Sequence, residues 1–563
     1  MNKNKEYARW CACADCSLQD ELAAMDEVEI EEAFARDLAF GTGGLRGILG
    51  AGTNRMNVHT VAKASQGVAD YVKAHFSGEK RNIAISYDSR ILSEEFARIA
   101  AGVFAANGIQ VWLYPELMPT PCLSFAVREL GCAAGVMVTA SHNPARYNGY
   151  KVYGPDGCQI TTEAAAQILG EIEKLDIFND IHMTSFESAR RAGLIREIPE
   201  SVTEAFLSAI IAQSVLGEKD ADKSIPIVYT PLNGTGRKPV LRALRAAKFT
   251  NVTVVEEQEM PDGRFPTCPY PNPEDDAALA LGCAYAKQLN ARLLIATDPD
   301  CDRLGVVVRT KDGVNRRLTG NEVGLLLLDY ICARRMETDT MPDNPVLVKT
   351  IVTTSLAERI AERYGLQTIH VLTGFKYIGE QIGRLEKQGQ IDSYVFGFEE
   401  SCGYLSGTYV RDKDGVGAAL QVCEMAAYYV ARGTDLAERL EELYREYGYT
   451  IDTLRSWTFE GTDGIEQMRS IMREFRARVE TLGGRQIVCR MDYAEGLEGL
   501  PKSDVLKLIL ADGSSVVIRP SGTEPKLKAY ISASAETYGD AVKAEQRLLE
   551  DIADIVNAPH CTA

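Results

Sequence analysis

NIAISYD at residues 82–88, SEEFARIAAGVFAANG at 93–108 and QVWLYP at 110–115 form the stretch from which the fold class is read. The first and last are short apolar runs with the composition of strands, and the segment between them places its apolar residues at helical spacing. Strands separated by a helix predict an α/β arrangement with parallel neighbours. Upstream lies a second helix-like segment, VHTVAKASQGVADYVKAHF (58–76). Before it comes FGTGGLRGILGAGTNRMN (40–57), a glycine-rich, Arg-bearing segment read as a loop able to bring backbone close to a ligand. The first ~40 residues are helical in pattern.

The same alternation returns twice. PIVYTPLNGTG (226–236) and ARLLIATDPDCDR (291–303) belong to a second block; NPVLVKTIVTT (344–354), TIHVLTGFKY (368–377) and SYVFGFEESCGY (393–404) belong to a third. The final part differs, with the β-rich SSVVIRPSGTEPKLKAYISA (514–533) followed by the helix-like YGDAVKAEQRLLEDIADIV (538–556). The predicted division is 1–205, 206–320, 321–445 and 446–563: three similar mixed-sheet α/β domains and a smaller C-terminal α+β domain.

A chain of 563 residues should contain several domains at roughly 100–200 residues each. Hydrophobic and charged contents of 45% and 25% are ordinary for a folded soluble protein. The formal charge of −18, without any long basic run, argues against a nucleic-acid partner. An anionic substrate would then need a site made locally positive by Arg, Lys, backbone N–H groups or a metal. The N-terminal MNKNKEYARWCACADC lacks the apolar core of a signal peptide, and no stretch approaches the ~20 apolar residues of a membrane helix. A cytoplasmic protein without a membrane partner is expected. The 14 cysteines are scattered, and in a reducing compartment most are expected to be buried thiols. Cys11, Cys13 and Cys16 form the only dense group, with no second Cys or His pair nearby to complete four ligands.

Four polar loops end apolar runs. The run Gly135–Ala140 stops at Ser141-His142-Asn143-Pro144, so Ser141 stands on a turn after a buried strand, where ligands gather in open α/β sheets; a plain Asn-Pro turn is the other reading. Asp298-Pro299-Asp300-Cys301-Asp302-Arg303 follows Leu293–Ala296 and spaces three carboxylates at i, i+2 and i+4, the hard oxygen donors that Mg2+ prefers. The central Gly and terminal Glu of an EF-hand are missing, which leaves a solvated acidic turn as the alternative. Gly397–Gly403 contributes Glu399, Glu400 and Ser401, which suit vicinal hydroxyls or equally a helix cap. Arg519–Lys526 joins a guanidinium to Ser521, Gly522 and Thr523, a set suited to phosphate or to a hairpin with chance charges.

Together these loops resemble the α-D-phosphohexomutase superfamily over nearly the whole chain and in order. Thr139–Pro144 looks like its phosphoserine loop, Asp298–Arg303 like its metal loop, Glu399-Glu400-Ser401 like its sugar-binding loop, and Arg519–Pro525 like its phosphate loop. Phe40–Gly47 (with Thr42), Tyr87-Asp88-Ser89-Arg90 and Asn148–Lys151 are supporting matches. Thr373–Glu380 and Gly397–Ser401 look most like the phosphoglucomutase and phosphopentomutase branch; Asn233 stands where relatives often carry His.

The resemblance implies four domains around a central cleft, each giving one loop. It also implies a phosphorylated Ser141 completing an Mg2+ shell with Asp298, Asp300 and Asp302. The implied activity interconverts α-D-glucose 1-phosphate and glucose 6-phosphate, with glucose 1,6-bisphosphate as intermediate and activator. Mannose or pentose phosphates are alternative substrates, and a Ser- and Mg2+-dependent sugar phosphatase is the rival of different chemistry. Arg303 would add positive charge. Lys151, its pKa lowered by cationic surroundings, would serve as general base, or instead hold a phosphate or carboxylate. His142 would transfer a proton or merely order the loop. Glu399 and Ser401 would grip sugar hydroxyls, while Arg519, Ser521, Gly522 and Thr523 hold the unreacting phosphate. Thr373 and Gly374 would contact the substrate; Lys376 would help to distinguish orientations or sugars, or be a surface lysine beside a turn; and Arg46 would complete the charge of the cleft or serve structure alone. Oligomeric state is left open.

Overall fold

The computed structural model describes residues 3–41, 43–217, 220–459, 464–497, 499–521 and 526–558. Its first sheet holds β1 (Gly44–Ile48), β2 (Asn82–Tyr87), β3 (Gln110–Leu113), β4 (Ala134–Val138), β5 (Tyr147–Tyr153) and β6 (Ile195–Glu197), in the order β1-β5-β4-β2-β3-β6. β2 and β3 are parallel and joined by the helix Ser93–Ala106, as the strand–helix–strand pattern requires. β4 and β6 extend the parallel part, whereas β5 runs antiparallel to β4 and to β1.

The second sheet contains β7 (Ile227–Thr230), β8 (Val252–Val254), β9 (Leu293–Thr297), β10 (Leu304–Arg309) and β11 (Asn315–Leu318), ordered β11-β10-β9-β7-β8. The third contains β12 (Val346–Thr350), β13 (Gln367–Val371), β14 (Tyr394–Glu399) and β15 (Gly403–Ser406), ordered β13-β12-β14-β15. Both repeat the mixture of a parallel centre and an antiparallel edge. The C-terminal sheet differs. Strands β16 (Tyr449–Thr458), β17 (Thr481–Leu482), β18 (Arg485–Asp492), β19 (Leu506–Leu510), β20 (Ser515–Pro520) and β21 (Lys526–Ala535) pair antiparallel throughout, with the helices Gly464–Ala477 and Tyr538–Asn557.

Local chemistry accounts for the boundaries. Asn57 caps the helix Val58–His75 by accepting from the amides of His59 and Thr60, while the Thr60 hydroxyl accepts from the Asn57 amide. The helix Gly415–Ala431 is apolar on nearly every face, and residues 415–429 are accordingly buried all round. One apolar core runs continuously through the first three units, and a second lies under the first sheet. The C-terminal sheet keeps its own core, and Ile351, Val352 and Leu372 meet Val517 and Tyr530 where it joins the third unit.

The segment 40–57 departs from the loop reading. Gly44–Ile48 is an edge strand paired with β5, with Arg46 opposite Gly149 and Gly44 opposite Lys151. Gly44 has φ 144°, and a Cβ there would fall 1.9 Å from the Tyr150 carbonyl oxygen, so glycine is what permits the pairing. Lys376, expected on a glycine-bearing loop, lies instead in the first turn of the helix Phe375–Lys387, behind Gly374 at φ 117°.

Candidate active site

Ser141 follows β4, Asp298 follows β9, and Glu399 ends β14, so three sheets direct the carboxyl ends of strands at one place. Ser141 is buried and has φ 52°, a left-handed conformation costing a non-glycine residue roughly 1–3 kcal/mol. The surrounding contacts hold it there. Its amide donates to Thr139 Oγ1 at 2.7 Å, and Thr139 Oγ1 donates to Asp88 Oδ2 at 2.6 Å. The buried Arg90 guanidinium donates to the carbonyls of Pro144 and Tyr147, at 3.0 Å each, and to those of Ser141 and Asn143. The serine loop is thus tied down by its own backbone, and Ser141 Oγ is left facing Asp298 Oδ2 at 2.8 Å and His142 Nδ1 at 3.2 Å.

Asp298, Asp300 and Asp302 are all buried, and each places a carboxylate oxygen within 4.8 Å of the others. Among the described residues no other group of His, Cys, Asp or Glu is arranged to hold a metal, the exposed Cys11, Cys13 and Cys16 included. Asp300 Oδ1 and Asp302 Oδ1 are buried with no hydrogen-bond partner among the described residues. Buried carboxylate oxygens are rarely left so, and these two fit a hard divalent cation. The loop is backed by residues 230–236: a Cβ on Gly234 would meet Pro299 Cα at 2.5 Å, and Thr235 donates to the Pro299 carbonyl through both its amide and its hydroxyl.

Two ammonium groups flank the acids. Lys151 Nζ lies 2.8 Å from Asp300 Oδ2 and 3.5 Å from Asp302 Oδ2, and Lys413 Nζ lies 3.0 Å from Asp302 Oδ2. Thr120 Oγ1 donates to Asp300 Oδ2 at 2.8 Å. These neighbours correct the expectation for Lys151. Burial alone draws its pKa down, but Asp300 and Asp302 outweigh that and the net displacement is upward, so the surroundings are anionic rather than cationic. The carboxylate-partner alternative is the one observed. Burial acts to raise Asp300, yet the Lys151 ammonium holds it well below the usual carboxylate range. Asp298 goes the other way, pushed up by burial and then by Asp302 and Asp300. His142 is held far below the ordinary histidine range by burial and by Arg303 and Arg46, so it is neutral.

The remaining candidates have contacts of their own. Glu399 is buried near Lys413 and Arg303, and a Cβ on Gly403 would touch Lys413 Cδ at 2.6 Å and Glu399 Cγ at 2.9 Å. Glu400 is pushed up to about 7 by burial and by Glu399. Ser401 hydrogen-bonds Glu399 and is half-buried. Arg303 Nη1 pairs with Glu274 at 3.1 Å, and its buried Nε has no hydrogen-bond partner among the described residues. Arg46 is exposed on β1 and donates to Asn143 Oδ1 at 3.2 Å, joining the edge strand to the serine loop. Thr373 keeps a buried Oγ1 without a hydrogen-bond partner among the described residues, one residue before Gly374. Lys376 stands 5.1 Å from the Tyr377 ring centroid. In the C-terminal unit, Arg519 is the penultimate residue of β20 and lies beside Tyr530, and the Ser521 amide donates to the Lys526 carbonyl at 2.7 Å. Gly522, Thr523 and the supporting position Thr42 lie outside the described residues.

Lys413, Thr120 and Tyr153 escaped the sequence reading. Lys413 sits in Asp412-Lys413-Asp414, a charged triplet opening the buried helix Gly415–Ala431, and that clash between charge and an apolar context was the available signal. Thr120 and Tyr153 carry no comparable mark.

The four domain profiles described as phosphoglucomutase/phosphomannomutase match this chain in order: alpha/beta/alpha domain I at residues 37–177, domain II at 204–313, domain III at 319–447 and the C-terminal domain at 463–554. A protein named phosphoglucomutase from Staphylococcus epidermidis (strain ATCC 35984) is 37% identical over 522 residues, covering 91% of this chain and 93% of its own. One of the same name from Staphylococcus aureus (strain USA300) is 35% identical over 529 residues, covering 92% and 93%. Among solved structures, a putative phosphomannomutase from Thermus thermophilus superposes with a TM-score of 0.69 at 24% identity, over 93% of this chain and 100% of that one. The open form of pp63/parafusin from Paramecium gives 0.69 at 16% identity, over 93% and 96%. At such identities the two structures speak for the fold alone.

Proposed function

The chain belongs to the phosphoglucomutase/phosphomannomutase family, and from that premise we propose that it interconverts α-D-glucose 1-phosphate and glucose 6-phosphate, using Ser141 as a phosphoryl relay. The observation that carries the proposal is the 2.8 Å approach of Ser141 Oγ to Asp298, beside two buried carboxylate oxygens that lack partners among the described residues. Glucose is preferred to mannose or pentose because the relatives of 35–37% identity bear the name phosphoglucomutase.

Phospho-Ser141 donates to O6 of glucose 1-phosphate, giving bound glucose 1,6-bisphosphate. The bisphosphate turns round, and its O1 phosphoryl group passes to Ser141 Oγ, releasing glucose 6-phosphate. In the return step Ser141 must lose its proton, and Asp298 Oδ2 and His142 Nδ1 are the acceptors within reach. Of the two, His142 is the weaker acceptor, because burial, Arg303 and Arg46 disfavour its protonated form. Lys151 acts as an ammonium that neutralises Asp300 and Asp302, rather than as the base. Mg2+ held by Asp298, Asp300 and Asp302 would supply charge withdrawal from the transferring phosphoryl group.

Glu399 and Ser401 bind the sugar hydroxyls, with Thr373, Gly374 and Lys376 at the orientation-sensing wall. Arg519, Ser521, Gly522 and Thr523 hold the idle phosphate, and Arg46 and Arg303 give the cleft the positive charge that an anionic substrate needs on a chain of net charge −18. The partner is therefore a small phosphosugar, and a cytoplasmic site of action is proposed. No helix among the described residues is long and apolar enough to cross a membrane.

The test supplies glucose 1-phosphate with Mg2+ and trace glucose 1,6-bisphosphate, and follows glucose 6-phosphate and free phosphate together. Free phosphate without glucose 6-phosphate would mean a phosphatase. Mannose 1-phosphate and ribose 1-phosphate, run in parallel, decide the sugar.

A further inference from the structure

We propose that Thr139 is a positioning residue for phosphoryl transfer, its hydroxyl being the relay through which the buried Asp88 carboxylate fixes the Ser141 backbone. The inference rests on the mutase reading of Ser141 and goes beyond it to a residue that touches neither sugar nor metal. Thr139 is 1% exposed, so its side chain has no access to the cleft.

The direction of the relay is fixed by chemistry. The Ser141 N–H can only donate, so Thr139 Oγ1 accepts from it at 2.7 Å, and the Thr139 hydroxyl donates in turn to Asp88 Oδ2 at 2.6 Å, a carboxylate paired with Arg90 Nε at 3.4 Å. Asp88 is itself held, accepting from Ser93 Oγ at 2.7 Å and the Arg90 amide at 2.9 Å. The guanidinium of the same Arg90 binds the carbonyls of the serine loop. One carboxylate therefore sets both ends of the turn, the amide entering Ser141 through Thr139 and the carbonyls leaving it through Arg90. From behind, the Thr139 amide donates to the Gly149 carbonyl at 3.1 Å. A Cβ on Gly149 would lie 2.4 Å from the Thr139 carbonyl oxygen, so the strand carrying Gly149 is pressed against the residue that does the holding. A left-handed Ser141 is the conformation that this frame selects.

In the step concerned, the Ser141 Oγ–P bond forms as the sugar O–P bond breaks, and the serine proton ends on the released sugar oxygen. Its rate depends on where Oγ stands, and a displacement of about 1 Å can cost about 10²-fold. The experiment adds glucose 1,6-bisphosphate to unphosphorylated enzyme and follows phosphorylation of Ser141 by intact mass, alongside kcat and KM for glucose 1-phosphate. Thr139→Val keeps the shape and removes the hydroxyl; Thr139→Ser keeps the hydroxyl and removes the methyl group. Thr139→Val should slow phosphorylation and kcat by about 10²-fold with KM within about twofold, while Thr139→Ser stays within about threefold of wild type. Wild-type rates per folded molecule in Thr139→Val would overturn the proposal, as would a Thr139→Ser loss of about 10²-fold, which assigns the effect to packing and is measurable even if the valine variant does not fold. Wild-type enzyme that turns over normally while Thr139→Val does too sinks this proposal alone; wild type that never accepts a phosphoryl group sinks the mutase reading with it.

Discussion

Tyr153 Oη donates a 2.8 Å hydrogen bond to Asp412 Oδ2 across 259 positions of sequence, fastening β5 of the first unit to the loop that opens the helix Gly415–Ala431 in the third. Lys151 lies two residues before Tyr153 and Lys413 one residue after Asp412, so this bond brings their two ammonium groups to the same acid, Asp302. Tyr153→Phe removes the bond and leaves Asp412 buried with fewer donors. A stability loss of about 1–3 kcal/mol is expected, together with a fall in kcat as Lys413 drifts from Asp302. Denaturant midpoints and steady-state kinetics measure the two effects, and an unchanged kcat would show that Lys413 is placed by other contacts.

Ser141→Ala deletes the atom that carries the phosphoryl group in the proposed mechanism. Turnover should fall to background while binding of glucose 1-phosphate, followed by calorimetry, remains. Wild-type-like activity in this variant would remove Ser141 from the reaction altogether.

Lys413→Met strips a buried counter-charge from an acidic cluster. Breaking a buried pair from one side costs about 3–5 kcal/mol, so the melting temperature should drop clearly in EDTA. Added Mg2+ supplies positive charge to the same carboxylates and should recover part of the loss, making the variant's melting temperature more dependent on Mg2+ than wild type's. Equal losses with and without Mg2+ would separate Lys413 from any metal held by the three acids.

Glu424 lies in the core, with Oε1 accepting from Ser214 Oγ at 2.5 Å and Oε2 buried without a hydrogen-bond partner among the described residues. Burial pushes its carboxyl up to about 7, against the opposing pull of Ser214 and Lys223. The unfolded chain releases this proton near the ordinary value of about 4.3, whereas the folded chain keeps it to about 7. Between those values the native state binds the extra proton, so this group makes stability fall as pH rises, with the full cost reached above about 7. Glu424→Gln should therefore be more stable than wild type at pH ~8, by on the order of 3–4 kcal/mol, and nearly equal to it at pH ~4. Parallel denaturation midpoints across that range would contradict the burial argument.

The sequence by itself determined the α/β alternation, the place of Ser141 on a turn after a buried strand, and the three acids spaced at i, i+2 and i+4. Each follows from chain-local physics: periodicity, the inability of Pro144 to continue a strand, and the donor chemistry of neighbouring side chains. What only the tertiary structure decided is the state in which those residues sit. Lys151 read as a lysine in cationic surroundings because its partners Asp300 and Asp302 lie 149 and 151 positions away, and their fields exist only once two sheets have packed together. Lys413 was invisible for the same reason, and Arg46 changed from a loop residue to a strand residue because the pairing strand is supplied by residues 147–151. A side chain's identity is local, but its charge state and aim are set by neighbours that folding brings in from afar.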